Sequence, residues 1–141
     1  MRIARELLDE LVAHALEDPA NEVCGVLATV SEPAAADAGQ ATRAIRVLRA
    51  RNAYASPLRF EIAPQELLEL SNACDELGEL GAIYHSHVRS KPYPSQTDIN
   101  FAANWPGVEW IIVGLAGAAE PEVRSYLIED GAVREVPLEV G

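Results

Sequence analysis

The segment that most restricts this chain's fold is ELGAIYHSHVRSKPYPSQTD, residues 79–98. It starts as a β-like apolar run, passes through a loop stiffened by Pro92 and Pro94, and opens a helix at Ser95. Strand, loop and helix thus follow one another within a short stretch, which points to a chain mixing α and β elements. Successive strand side chains alternate faces, so His85 and His87 project the same way and Ser86 the opposite way. The chain has 3 histidines, and two of them are here.

The same mixture continues on both sides. Residues 3–17 place Ile3, Leu7, Leu8, Leu11, Val12 and Leu16 at helical spacing. APQELLELSNACDELG has Pro64 near a helix start and Gly78 at its end. Strands are expected in EVCGVLATV (22–30) and in the alternating run from about residue 41, with Ala44, Val47 and Leu48 toward the core. LRFEI (58–62), VEWIIVGLA, EVRSYLIED and the end of GAVREVPLEV supply the others. The SQTDINFAANW helix is stopped by Pro106-Gly107, and SEPAAADAGQ (31–40) reads as a surface loop. Three helices interleaved with roughly six strands make the class α/β or α+β around one central sheet, as one domain over residues 1–141.

Charge narrows the partners. Lys and Arg total 11 against 22 acids, a net −11, which opposes binding to a nucleic-acid backbone and docking on anionic lipid. Apolar runs such as WIIVGLAGAA are too short to cross a bilayer, and the acids in the first helical pattern distinguish it from a signal peptide. A cytoplasmic protein is expected. Cys24 and Cys74 form no Cys-x-x-Cys pair and read as free buried thiols. His14 reads as a surface or packed histidine, and Trp105 and Trp110 as core or rim packing. Arg89 and Lys91 are loop cations, either solvated or facing a substrate.

Two imidazoles on one strand face can converge on one ion. Zinc accepts histidine nitrogen and carboxylate oxygen, and catalytic zinc keeps three protein ligands plus water. Asp98, in the first turn of the next helix, is the natural third ligand. SQTD is also a helix-capping pattern, in which Ser95 bonds backbone N–H groups and Asp98 serves the helix dipole. Taken alone, Ser95 and Asp98 are better explained by that cap, but a cap requires no histidine pair before it.

His85-Ser86-His87, seven residues, Ser95, two residues and Asp98 together resemble the His-x-His-x7-Ser-x2-Asp signature of the JAMM (MPN+) zinc metallopeptidases. NEVCGVL (21–27) is similar to the family's upstream Glu-x-Cys-Gly segment and points to Glu22. RNAYASPLRFEIAP (51–64) and PEVRSYLI extend the resemblance over most of the chain, and the ending PEVRSYLIEDG resembles the bacterial sulfur-carrier group. The resemblance implies an MPN domain with a cytidine-deaminase-like mixed sheet flanked by helices. It implies Zn2+ held by His85, His87 and Asp98, with Glu22 as general base and then acid, and Ser95 as hydrogen-bond donor to the oxyanion.

The implied reaction is hydrolysis of an amide at the C-terminal Gly-Gly of a ubiquitin-like or sulfur-carrier protein, releasing cysteine or a lysine-linked partner; a homodimer is compatible with it. One departure is Val88, where most members have proline, and it bears on the path of loop 88–94 and the substrate groove. The alternative is a non-catalytic MPN scaffold, which should come without stoichiometric zinc. A zinc deaminase would need His-x-Glu and Pro-Cys-x-x-Cys, and neither occurs.

Overall fold

The computed structural model describes residues 1–33, 40–117 and 120–141. Its frame is one mixed eight-stranded sheet. In chain order the elements are β1 (Arg2–Ile3), α1 (Arg5–Glu17), β2 (Cys24–Pro33), β3 (Gln40–Ala50), α2 (Pro64–Leu77), β4 (Glu79–His87), α3 (Gln96–Ala102), β5 (Glu109–Gly114), β6 (Glu122–Glu129), β7 (Ala132–Val136) and β8 (Glu139–Val140). Across the sheet the order is β7-β6-β5-β4-β2-β3-β1-β8. β4 lies in the interior, antiparallel to β2 and parallel to β5. The parallel pair requires a crossover, and the loop at 88–95 with α3 provides it.

Helices cover both faces. Leu8, Leu11 and Ala15 form the buried stripe of α1, which packs with Leu27, Ala82, Tyr84, Ile111 and Val113. On the opposite face α2 and α3 close over Cys24, Val26, Ile83, Trp110 and Ile112. Alternation along β4 therefore sends Tyr84 toward α1 and Ile83 toward α2. Gly81 sits at a register shift in the β2–β4 pair, where a Cβ would lie 2.0 Å from Thr29 Oγ1, so only glycine fits. The β6–β7 hairpin turns through Asp130 (φ 51) and Gly131 (φ 77), a left-handed pair of the Asp-Gly kind that suits two-residue hairpins. Cys24 and Cys74 are free and buried, as expected. Among the described residues no helix is long and apolar enough to cross a membrane.

Several boundaries differ from the periodicity. LRFEI forms no strand: Phe60 and Ile62 are buried, yet its backbone bonds to the 52–53 turn instead of a neighbouring strand. The first helix begins at Arg5, because Arg2 and Ile3 pair with β3 and β8. α3 ends at Ala102, before Pro106-Gly107, and the terminal strand is split into β7 and β8 by residues 137–138. Residues 31–33 continue β2, and the rest of the expected 31–40 loop, except Gln40 in β3, lies outside the described residues.

Candidate metal centre

His85 and His87 end β4 and project toward the α2 and α3 face, where the N-terminus of α3 brings up Asp98. Asp98 Oδ2 lies 3.1 Å from His85 Nε2 and 3.2 Å from His87 Nε2, and the two nitrogens are 3.1 Å apart. All three residues are buried. The ring of His85 is fixed by stacking on Phe60 (centroids 4.5 Å apart, planes at 25°) and by the edge of Trp110. Its Nδ1 is buried with no hydrogen-bond partner among the described residues.

His87 carries the decisive detail. Its Nδ1 is 2.8 Å from the Lys91 carbonyl oxygen, which can only accept, so Nδ1 holds the proton. In the neutral ring, Nε2 then presents a lone pair to the Asp98 carboxylate and to His85. With both rings neutral, only His85 Nε2 can still hold a proton among these three atoms, and a metal ion in its place would take all three as ligands. Without a metal a proton takes that place: burial pulls the His87 pKa down, but hydrogen bonds to Asp98 and the Lys91 carbonyl outweigh it and raise it. Burial works to raise the Asp98 pKa as well, yet His85, His87 and the Ser95 N–H hold this carboxyl well below the usual carboxylate range. The donor set fits zinc, whose tetrahedral ligands at about 2.0–2.1 Å would stand roughly 3.3 Å apart.

Glu22 reaches the same place from the segment just before β2. Its carboxyl and the two histidines offer ligand atoms that all lie within 4.8 Å of one another. Cys24 pairs with His85, so Glu22, two residues earlier, shares their face. Its backbone is held on both sides: Glu22 N–H donates to Ser56 O (2.8 Å) and Asn52 Nδ2 donates to Glu22 O (3.0 Å). Val23 N–H donates to Ser86 Oγ (2.9 Å), and Ser86 N–H donates to Val23 O (3.0 Å). Burial, with help from the Asp98 charge and against His87, pushes the Glu22 carboxyl up to about 8. One site thus holds two carboxyl groups driven apart, one ionised and one with the affinity to carry a proton near neutral pH.

Ser95 is the N-cap of α3. Its Oγ accepts from Asp98 N–H (3.1 Å) and its N–H donates to Asp98 Oδ2 (2.9 Å), the reciprocal capping box expected of SQTD. That bond uses an oxygen lone pair, so the hydroxyl proton of this exposed residue is free to donate. Both explanations of SQTD therefore hold together. Asn52, whose amide bonds Glu22 O, Arg59 O, Tyr54 N–H and Glu61 N–H, and Ser86 carry roles that the residue pattern did not single out. His14 is half-buried and bonds Tyr84 OH, away from the centre. A cavity of about 520 Å³ borders residues 21–23, but its walls include His14, Glu17 and Arg49 on the α1 side. Glu22, Asn52 and Ala53 also line it, whereas His85, His87 and Asp98 do not.

The model of the prokaryotic homologues of the JAB domain matches residues 4–129. The CysO-cysteine peptidase of Mycobacterium tuberculosis is 36% identical over 139 residues, covering 98% of this chain and 89% of its own length. The desampylase of Pyrococcus furiosus is 34% identical over 121 residues, covering 84% of this chain and 76% of its own. Among solved structures, a JAB1/MPN domain protein from Archaeoglobus fulgidus superposes with a TM-score of 0.59 over 99% of this chain and 98% of its own, at 21% identity, a likeness of fold.

Proposed function

This chain belongs to the prokaryotic JAB-domain family and is a hydrolase, and on that premise we propose that it is a zinc metallopeptidase cutting an amide at the C-terminal Gly-Gly of a sulfur-carrier or ubiquitin-like protein. The observation that carries the reading is the convergence of His85 Nε2, His87 Nε2 and Asp98 Oδ2, with the His87 proton pinned away from them by Lys91 O. Zinc in that set would supply a water acidified to a pKa of about 7 and would polarise the scissile carbonyl. Glu22 takes the proton of the attacking water on its carboxylate and returns it to the departing amine. Ser95 donates its free hydroxyl proton to the carbonyl oxygen as charge builds there. Asn52 and Ser86 keep Glu22 in place through the backbone of residues 22 and 23. The Gly-Gly tail is the chemistry such a site admits with least obstruction, because glycine has no side chain to clash with the loops.

The names of the two relatives, a CysO-cysteine peptidase and a desampylase, support a carrier-protein conjugate as substrate. The scaffold alternative has no support here, since the donor set and Glu22 are all in place. The test is mass spectrometry of a Gly-Gly-ended sulfur-carrier protein conjugated to cysteine, incubated with the protein with and without a chelator. Free carrier should appear only without the chelator. An intact conjugate in the presence of zinc-loaded protein would reject this substrate in favour of lysine-linked conjugates.

A further inference from the structure

Two loop segments flank the metal centre. Residues 53–60 contribute Phe60, stacked on His85, and residues 88–95 contribute the Lys91 carbonyl that orients His87. Their sequences, AYASPLRF and VRSKPYPS, contain Arg59, Arg89 and Lys91 and no acid, in a chain with 22 acids and 11 Lys plus Arg. Of the eight cations elsewhere, four are matched among the described residues: Arg2 and Arg43 pair with Glu32, Arg49 with Glu17, and Arg124 with Glu122 and Glu135. Among the described residues Arg59, Arg89 and Lys91 have no carboxylate partner, and Arg59 lies over the Tyr54 ring at 4.1 Å. The same segments carry Tyr54, Leu58 and Tyr93, which are 44%, 75% and 55% exposed. A lone exposed leucine needs no explanation, but three large apolar side chains interleaved with three unmatched cations around one site do.

We infer that this rim is the docking surface of a folded acidic protein whose tail enters the metal centre, with Arg59, Arg89 and Lys91 meeting its carboxylates and Tyr54, Leu58 and Tyr93 meeting an adjoining apolar patch. The inference rests on the carrier-protein reading for the tail. The sign of the charge selects the partner. A basic protein would be drawn to the acid-rich remainder of the surface, whereas an acidic one meets net repulsion there and cations without acids in the two rim segments. The rim therefore attracts its partner and also orients it, and the aromatic and arginine side chains are of the kinds that dominate interface energies.

The test uses Arg89→Glu and Leu58→Asp, singly and together, on two substrates: a net-negative sulfur-carrier protein joined at its Gly-Gly end to cysteine, and a short peptide ending in Gly-Gly-Cys. The double variant should raise KM for the protein conjugate about tenfold, leave its kcat alone, and cleave the peptide as the wild type does. Wild-type KM for the conjugate should also rise with salt, while that for the peptide should not. An unchanged KM for the conjugate in the double variant overturns the docking surface and leaves the hydrolase reading intact. Calorimetric binding of the unconjugated carrier to the wild type, weakened in the double variant but without cleavage of the conjugate, would support the surface and reject the proposed reaction.

Discussion

Ser86→Ala removes one oxygen from a position with 0% exposure, and the consequences follow from its partner. Ser86 Oγ accepts from Val23 N–H at 2.9 Å, and Val23 is itself only 6% exposed, so the bond is shielded from bulk water. A buried N–H left without an acceptor costs about 1–3 kcal/mol. At roughly 4 °C per kcal/mol for a chain of this size, the Tm should fall by about 4–12 °C. Val23 adjoins Glu22, so the freed segment also loosens the carboxyl, and a misplacement on the order of 1 Å costs about a hundredfold in rate. Three assays read this: urea denaturation for stability, hydrogen exchange at the Val23 amide for the bond, and kcat on the carrier conjugate for the carboxyl. Faster Val23 exchange together with lower kcat at undiminished zinc content is the predicted outcome. If exchange rises and kcat does not move, Ser86 secures the strand pair without positioning Glu22.

The metal-free protein should lose stability as pH rises from about 4.5 to about 8, because folded Glu22 keeps a proton that the unfolded chain gives up. The contribution of this raised pKa is complete below the unfolded value and is gone above about 8, with a slope of at most about 1.4 kcal/mol per pH unit. His87, also raised, adds to the same trend, so Glu22→Gln should flatten the urea-denaturation profile without levelling it; an unchanged slope would place the Glu22 titration elsewhere. Gly25→Ala should destabilise the fold by about 1–3 kcal/mol through overpacking. Its Cβ would meet Tyr84 Cε1 at 2.4 Å and Leu48 O at 2.6 Å, and the Tyr84 hydroxyl is tied to His14. A thermal melt equal to that of the wild type would show that the ring can move aside.

Much of the centre was legible because its geometry is local. Two-residue alternation aligns His85 with His87, and the short proline-containing loop delivers Asp98 and Ser95 within one strand–helix connection. Glu22 stands two residues before β2, brought in as its neighbour Val23 bonds a serine 63 residues away, and the residues alone would have left it a surface acid. Only the resemblance pointed to it. Ser86 escaped notice because it faces away from the histidines and acts through the backbone of Val23, a contact that leaves no periodic signal. LRFEI misled because Phe60 and Ile62 alternate with Glu61 in burial as strand residues do. There the Asn52 side chain supplies the bonds that a neighbouring strand would have made. β1 and β8, with two residues each, are too short to show a period at all.

The most direct test of the account measures bound zinc and turnover side by side in the wild type and in Glu22→Gln, after loading with zinc and removal of excess. The account predicts about one zinc per chain in both, with turnover of the carrier conjugate lower in the variant by at least about a hundredfold. A wild type that retains no zinc, or a variant that turns over as fast as the wild type, would contradict it.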